Sequence, residues 1–147
     1  MKQLIIRPDE WKTKFNAKHI DQKYGVILQE HIEKHLGEIA GVFHESISDN
    51  VHIDVCMIKP SKKIPYNILV TMGMSVKPMN APKEYAYKRC ELLAMLSKNW
   101  KLTQEDFKDE TNYWPMRMLK NLAVYPHACN TFIGLGHTIP NENPMKS

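Results

Sequence analysis

Three patterns predict an α+β fold, with a mixed or antiparallel β-sheet and helices packed on one of its faces. Residues 51–74, VHIDVCMIKPSKKIPYNILVTMGM, alternate apolar and polar side chains twice, as two strands joined by a Lys/Pro loop would. Residues 21–36 and 113–125 carry apolar side chains at helical spacing. The 147 residues suit one domain spanning 1–147, which buries roughly 68–70% of its unfolded surface.

In chain order, residues 8–18 predict a short helix, with Pro8 in its first turn and Trp11 and Phe15 on one face. Asp21 can cap the next helix, which runs to Leu36 and stops at Gly37. Its core row is Tyr24, Leu28, Ile32 and Leu36 with Ile27 alongside, while Gln29, Glu30, Glu33 and Lys34 suit the solvated side. Ile39–Phe43 is an apolar run after that stop and predicts an edge strand.

The hairpin register follows if both apolar rows share one side of the sheet. Met57 then pairs with Tyr66, Val55 with Ile68 and Val51 with Met72, because a one-residue slip flips every side chain. Asp54 faces Leu69 and His52 faces Thr71, which predicts one dry face and one semi-polar face.

The 77–82 segment, with Pro78, Asn80 and Pro82, is the clearest loop. Residues 84–96 fit either a helix or a buried strand by periodicity alone. Thr103 and Asp106 have helix-capping spacing, so 104–108 predicts a helical turn. A longer helix opens at Thr111 or Asn112, with Pro115 in its first turn and Trp114 anchoring it in the core. Met116, Leu119, Leu122 and Ala123 face inward and Pro126 ends it. Residues 131–135 predict a last strand.

Composition narrows the class. Twenty Lys+Arg against sixteen Asp+Glu give a net charge of +4, with the basic residues scattered, a weak case for nucleic acid that would need Lys59, Lys62, Lys63, Lys98 and Lys101 on one face. Cys56, Cys90 and Cys129 are an odd number without metal-ligand spacing and predict reduced, mostly buried thiols in a cytoplasmic protein. Leu4-Ile5-Ile6 is too short for a signal core or a membrane span.

The candidate chemistry is sparse. His31 and His35 are four apart on a helix, but Ile32 stands where a zinc protease needs Glu, and two ligands are one short of a catalytic site. His52, Asp54 and Cys56 share one strand face, yet His52 and Cys56 stand roughly 13 Å apart, too far for one zinc ion or a thiolate dyad. The expectation is a structural polar cluster at His52 and Asp54, with no metal, no cofactor and no catalytic thiol. The GLGHT run at 134–138 lacks a third glycine and a following helix, so it predicts a glycine-shaped exit that places His137 and Thr138 rather than a phosphate site.

Five segments taken together, HIDV (52–55), YNILVTMGMS (66–75), RCELLAML (89–96), NYWPMRMLKNLA (112–123) and GLGHTIPN (134–141), resemble the suppressor of fused domain family in its compact bacterial form. The resemblance implies a strand at 89–96 with a helical or irregular lead-in at 84–87. It also implies a domain that ends short of the family's further strands. Its theme is protein binding without catalysis: the animal member restrains a zinc-finger transcription factor, and many bacterial members look like immunity proteins against a cognate toxin. The motif positions it marks are His52, Asp54, Trp114, Gly136 and His137.

The sequence therefore leads to a non-catalytic protein-interaction module, an immunity protein with a polymorphic toxin as partner. Its expected binding surface is the semi-polar sheet face with His52 and Asp54, joined by the loop bearing Lys77 and Asn80, with no nucleic acid and no membrane involved. The competing reading is a metal-dependent or His/Asp hydrolase, which requires His52, Asp54 and His137 to converge in one cleft.

Overall fold

The structure is a computed structural model that describes residues 5–6, 22–44 and 52–139. The helix expected at 8–18 lies outside these residues. The sheet is an antiparallel meander of five strands in chain order: β1 (Ile5–Ile6), β2 (Ile39–Phe43), β3 (Asp54–Ile58), β4 (Asn67–Met72) and β5 (Leu93–Leu96). Among the described residues two α-helices accompany it, α1 (Gln22–Leu36) and α2 (Glu110–Ala128). The α+β antiparallel expectation holds.

The helices lie on opposite faces, not on one. Leu28, Ile32 and Leu36 of α1 pack with Val42, Cys56, Ile58, Ile68, Val70 and Met72. Met116 and Leu119 of α2 pack with Phe43, Val55, Leu69 and Leu96 on the other side. Every residue of β4 is consequently buried. A sheet covered on both sides has no semi-polar face.

The β3–β4 register differs from the expected one for the same reason. Val55 pairs with Thr71, Cys56 with Val70, Met57 with Leu69 and Asp54 with Met72, a shift of three residues. An odd shift places the Val55 row and the Ile68 row on opposite faces. Each face has its own apolar core, so pooling both rows on one side would have left α1 without a partner surface.

Helix α1 ends where expected. Gly37 adopts φ 123° and donates its N–H to Glu33 O at 3.2 Å, the conformation a left-handed stop requires. The expected row of Leu28, Ile32 and Leu36 packs on the sheet, but beside it Ile27 is exposed and Gln29, expected on the solvated side, is buried. Strand β2 is not an edge, since Ile5 and Ile6 of β1 pair with Phe43 and Val42.

Helix α2 starts earlier than Thr111. Asp109 caps it by accepting the Thr111 N–H at 2.9 Å and the Thr111 hydroxyl at 2.7 Å. Pro115 therefore sits beyond the first turn and Pro126 lies inside the helix. Before it, the expected Thr103–Asp106 cap is present: Thr103 donates from Oγ1 at 2.6 Å and from its amide at 3.1 Å to Asp106 Oδ2, opening a short 3-10 turn at Asp106–Lys108.

Trp114 is not a core anchor. It is 42% exposed and meets Trp100 edge-on at 6.1 Å, while its neighbours Pro115 and Met116 are buried. Residues 131–135 form a loop rather than a strand. Cys56 is buried, Cys90 half-buried and Cys129 exposed, so burial of the thiols is less complete than expected. Among the described residues, no helix is long and apolar enough to cross a membrane.

Candidate functional site

Three polar features stand out, each built by a different pair of elements. The first closes the β2–β3 ladder. Phe43 pairs with Val55, so His44, just past β2, comes beside Asp54 at the start of β3. The His44 ring Nδ1 donates to Asp54 Oδ1 at 2.8 Å and the His52 Nε2 donates to the same oxygen at 3.0 Å. Asp54 is fully buried. Burial pushes its carboxyl up, but the hydrogen bonds from His44 and His52 and their nearby charge hold it below its ordinary value. Among the described residues, Asp54 Oδ2 and His44 Nε2 are buried without a hydrogen-bond partner.

This corner corrects one sequence inference. His52 and Asp54 do interact, but their further partner is His44, ten residues before Asp54 on the neighbouring strand's exit. The objection that two metal ligands are one short does not apply here, because one donor atom from each of His44, His52 and Asp54 lies within 4.8 Å of the others. Cys56, on the same face, is buried, and its thiol is pushed well above its ordinary value by burial and then by Asp54, Glu91 and Glu33, which disfavours a reactive thiolate.

The second feature joins the end of β4 to the segment before β5. Gly73, at φ 126°, turns the chain into the 3-10 turn Met74–Val76, and the amides of that turn converge on Glu91. Glu91 accepts from Gly73 N (3.0 Å), Met74 N (3.2 Å), Ser75 N (2.9 Å), Ser75 Oγ (2.5 Å) and Thr71 Oγ1 (2.7 Å). Arg89 adds hydrogen bonds to Ser75 O and Val76 O, and Tyr24 of α1 donates to Ser75 Oγ at 2.8 Å. Burial still raises the Glu91 carboxyl above its ordinary value, against these opposing bonds. The knot binds the TMGMS segment to the RCELL segment, so its residues serve the fold.

The third feature is the GLGHT loop, which borders an open cleft of about 450 Å³ lined in part by Tyr125, Phe132, Ile133, Gly136, His137 and Thr138. A Cβ on Gly134 would overlap the Tyr85 hydroxyl, and Gly136 has φ 80°. The two glycines thus have separate causes, close approach and a left-handed backbone. The His137 ring meets Phe132 edge-on at 4.9 Å, and its Nδ1 accepts the Gly134 N–H at 3.2 Å. His52 and Asp54 do not line this cleft, so the convergence that the hydrolase reading required does not occur.

The other expected binding residues lie apart from these. Lys77 is exposed on its loop, and Asn80 donates from Nδ2 to Asn130 O at 3.1 Å, tying that loop to the end of α2. The loop is pinned by buried Met79, whose N–H donates to Lys88 O at 2.7 Å. The outer side of β5 pairs with no other strand among the described residues, and Leu93 and Met95 are exposed there. The ladders bring the loop with Lys59, Lys62 and Lys63 to the same end of the sheet as Lys98, which follows β5. Lys101 instead lies near Asp106 and Asp109, whose carboxyls it helps to lower after their hydrogen bonds to Thr103 and Thr111.

Comparison with known proteins agrees with this arrangement of segments. No curated protein and no solved structure matches the chain. A family model described as Suppressor of fused protein (SUFU) matches residues 49–147, which include His52 and Asp54 but not His44, together with Glu91 and the GLGHT loop. Membership of that family supports a role in protein interaction. The chain belongs to the suppressor of fused family.

Proposed function

We propose that this protein is a non-catalytic, cytoplasmic interaction module that acts as an immunity protein, neutralising a cognate toxin by occupying its surface. The observation that carries the reading is the family match over residues 49–147. The geometry is consistent with it. Glu91 is saturated with structural hydrogen bonds, and His52 and Asp54 do not line the cleft that His137 borders.

Helices cover both faces of β4, but the α1 face is open at β5, so the docking surface is the β5 edge with the adjoining strip of Leu93 and Met95. An extended partner segment can add to the open backbone of Leu93–Leu96, with Leu93 and Met95 as apolar contacts. Exposed Lys59, Lys62, Lys63 and Lys98 at one end of that edge favour an acidic partner. A stable interface needs roughly 800 Å² per partner, so it extends beyond the edge onto its neighbours.

The test is co-purification from the source cell, followed by assay of any recovered protein for toxicity. Recovery of a toxic protein by the wild type, lost in Met95→Asp, supports the reading. Undiminished recovery by Leu93→Asp/Met95→Asp refutes the β5 surface, and a recovered partner whose toxicity persists in the complex refutes the immunity role.

A further inference from the structure

We propose that His44, His52 and Asp54 form a divalent transition-metal site, with Zn²⁺ as the ion that the donor set fits. Two imidazoles and a carboxylate are the N/O donors zinc takes when three protein ligands leave a fourth position for water or another ligand. Imidazole nitrogens disfavour Ca²⁺ and Mg²⁺, which prefer oxygen donors throughout.

Distances support the assignment. Zinc bonds of about 2.0–2.2 Å in a tetrahedron set neighbouring donors roughly 3.3 Å apart. Asp54 Oδ1 now lies 2.8 Å from His44 Nδ1 and 3.0 Å from His52 Nε2, and the three donors fall within 4.8 Å of one another. Rotations of a few tenths of an ångström at the carboxylate and the rings would admit the ion. The scaffold is firm, since Asp54 begins β3 and His44 follows the Phe43–Val55 pair of the adjoining strand.

A second observation points to a ligand independently of the residue types. Asp54 is fully buried, and among the described residues its Oδ2, beside the Oδ1 of the donor set, has no hydrogen-bond donor. A buried carboxylate oxygen without a donor is an unmet charge that a cation satisfies. The side chains of His44 and His52 are 22% and 17% exposed, which leaves a route for exchange. The exposed pair His31 and His35 is the weaker candidate. It has two donors, and His35 Nδ1 already lies 2.8 Å from His31 O.

The test uses the full chain, stripped of metal with a chelator and titrated with Zn²⁺ alone, then Co²⁺ alone. One equivalent should bind, with a visible Co²⁺ spectrum of four-coordinate N/O type and a thermal midpoint that rises with Zn²⁺ concentration. Asp54→Asn and His44→Gln should each weaken binding by at least about 100-fold. His52→Gln, whose residue precedes β3, is the companion variant should either of those not fold. His31→Ala/His35→Ala should bind as the wild type does. No binding, binding undiminished in His52→Gln, or binding lost in His31→Ala/His35→Ala would each overturn the proposal.

Discussion

Glu91 accepts both the amide N–H and the hydroxyl of Ser75, at 2.9 and 2.5 Å, across sixteen residues of chain. This contact fixes the turn that follows β4 and, through Tyr24, couples that turn to α1. Glu91→Ala would leave the amides of Gly73, Met74 and Ser75 without their acceptor. The expected cost is at least about 3 kcal/mol by urea unfolding, since each buried unmet donor costs about 1–3 kcal/mol. A loss under about 1 kcal/mol would mean that water replaces the carboxylate.

The same group carries a pH signature. Its folded-state pKa is raised above the ordinary 4.5, so protonation favours the folded protein. The stabilisation is fully present below 4.5 and is lost as pH rises through the folded value. Glu91→Gln cannot titrate. Its stability deficit relative to the wild type should therefore be larger at acid pH, below 4.5, than at neutral pH, as read by urea titrations at both.

Trp114 and Met116 are two residues apart on α2 but differ in surroundings. Met116 is fully buried, so Met116→Ala should cost about 2–5 kcal/mol. Trp114 keeps its edge-on contact with Trp100 yet is 42% exposed, so Trp114→Ala should cost about 1 kcal/mol. Equal costs in a thermal or urea melt would contradict the orientation of the helix.

These two residues also show what the sequence could reveal. Helix α1, its stop at Gly37 and the Thr103–Asp106 cap were legible because each rests on contacts within a few residues. The helical pattern of α2 was legible too, but not which large side chain turns outward. The β3–β4 register was not legible, because the polar row of β4, Asn67 and Thr71, is buried like the rest of the strand and so marks no solvent side. His44 was missed because its partnership with Asp54 depends on the β2–β3 register, ten residues away in sequence. Its one local signal is a histidine immediately after an apolar strand that a second strand, entered through the HID run at 52–54, can meet.

The GLGHT loop separates two roles of glycine. Gly134→Ala drives a methyl group into the Tyr85 hydroxyl, so it should loosen the Tyr85–Phe132 ring contact, now 5.0 Å between centroids. Gly136→Ala meets no neighbour among the described residues and costs only what φ 80° imposes, about 1–2 kcal/mol. Near-ultraviolet dichroism should change for Gly134→Ala and stay as in the wild type for Gly136→Ala. The reverse pattern would show that the loop is held differently.

The central claim, action by occupancy, is tested most directly by titrating this protein against a fixed amount of its partner while following the partner's activity. The account predicts partner activity that falls linearly to a plateau at a fixed ratio near one to one, with no dependence on incubation time beyond binding. Inactivation that proceeds to completion with trace amounts of this protein would contradict it, because that behaviour requires turnover.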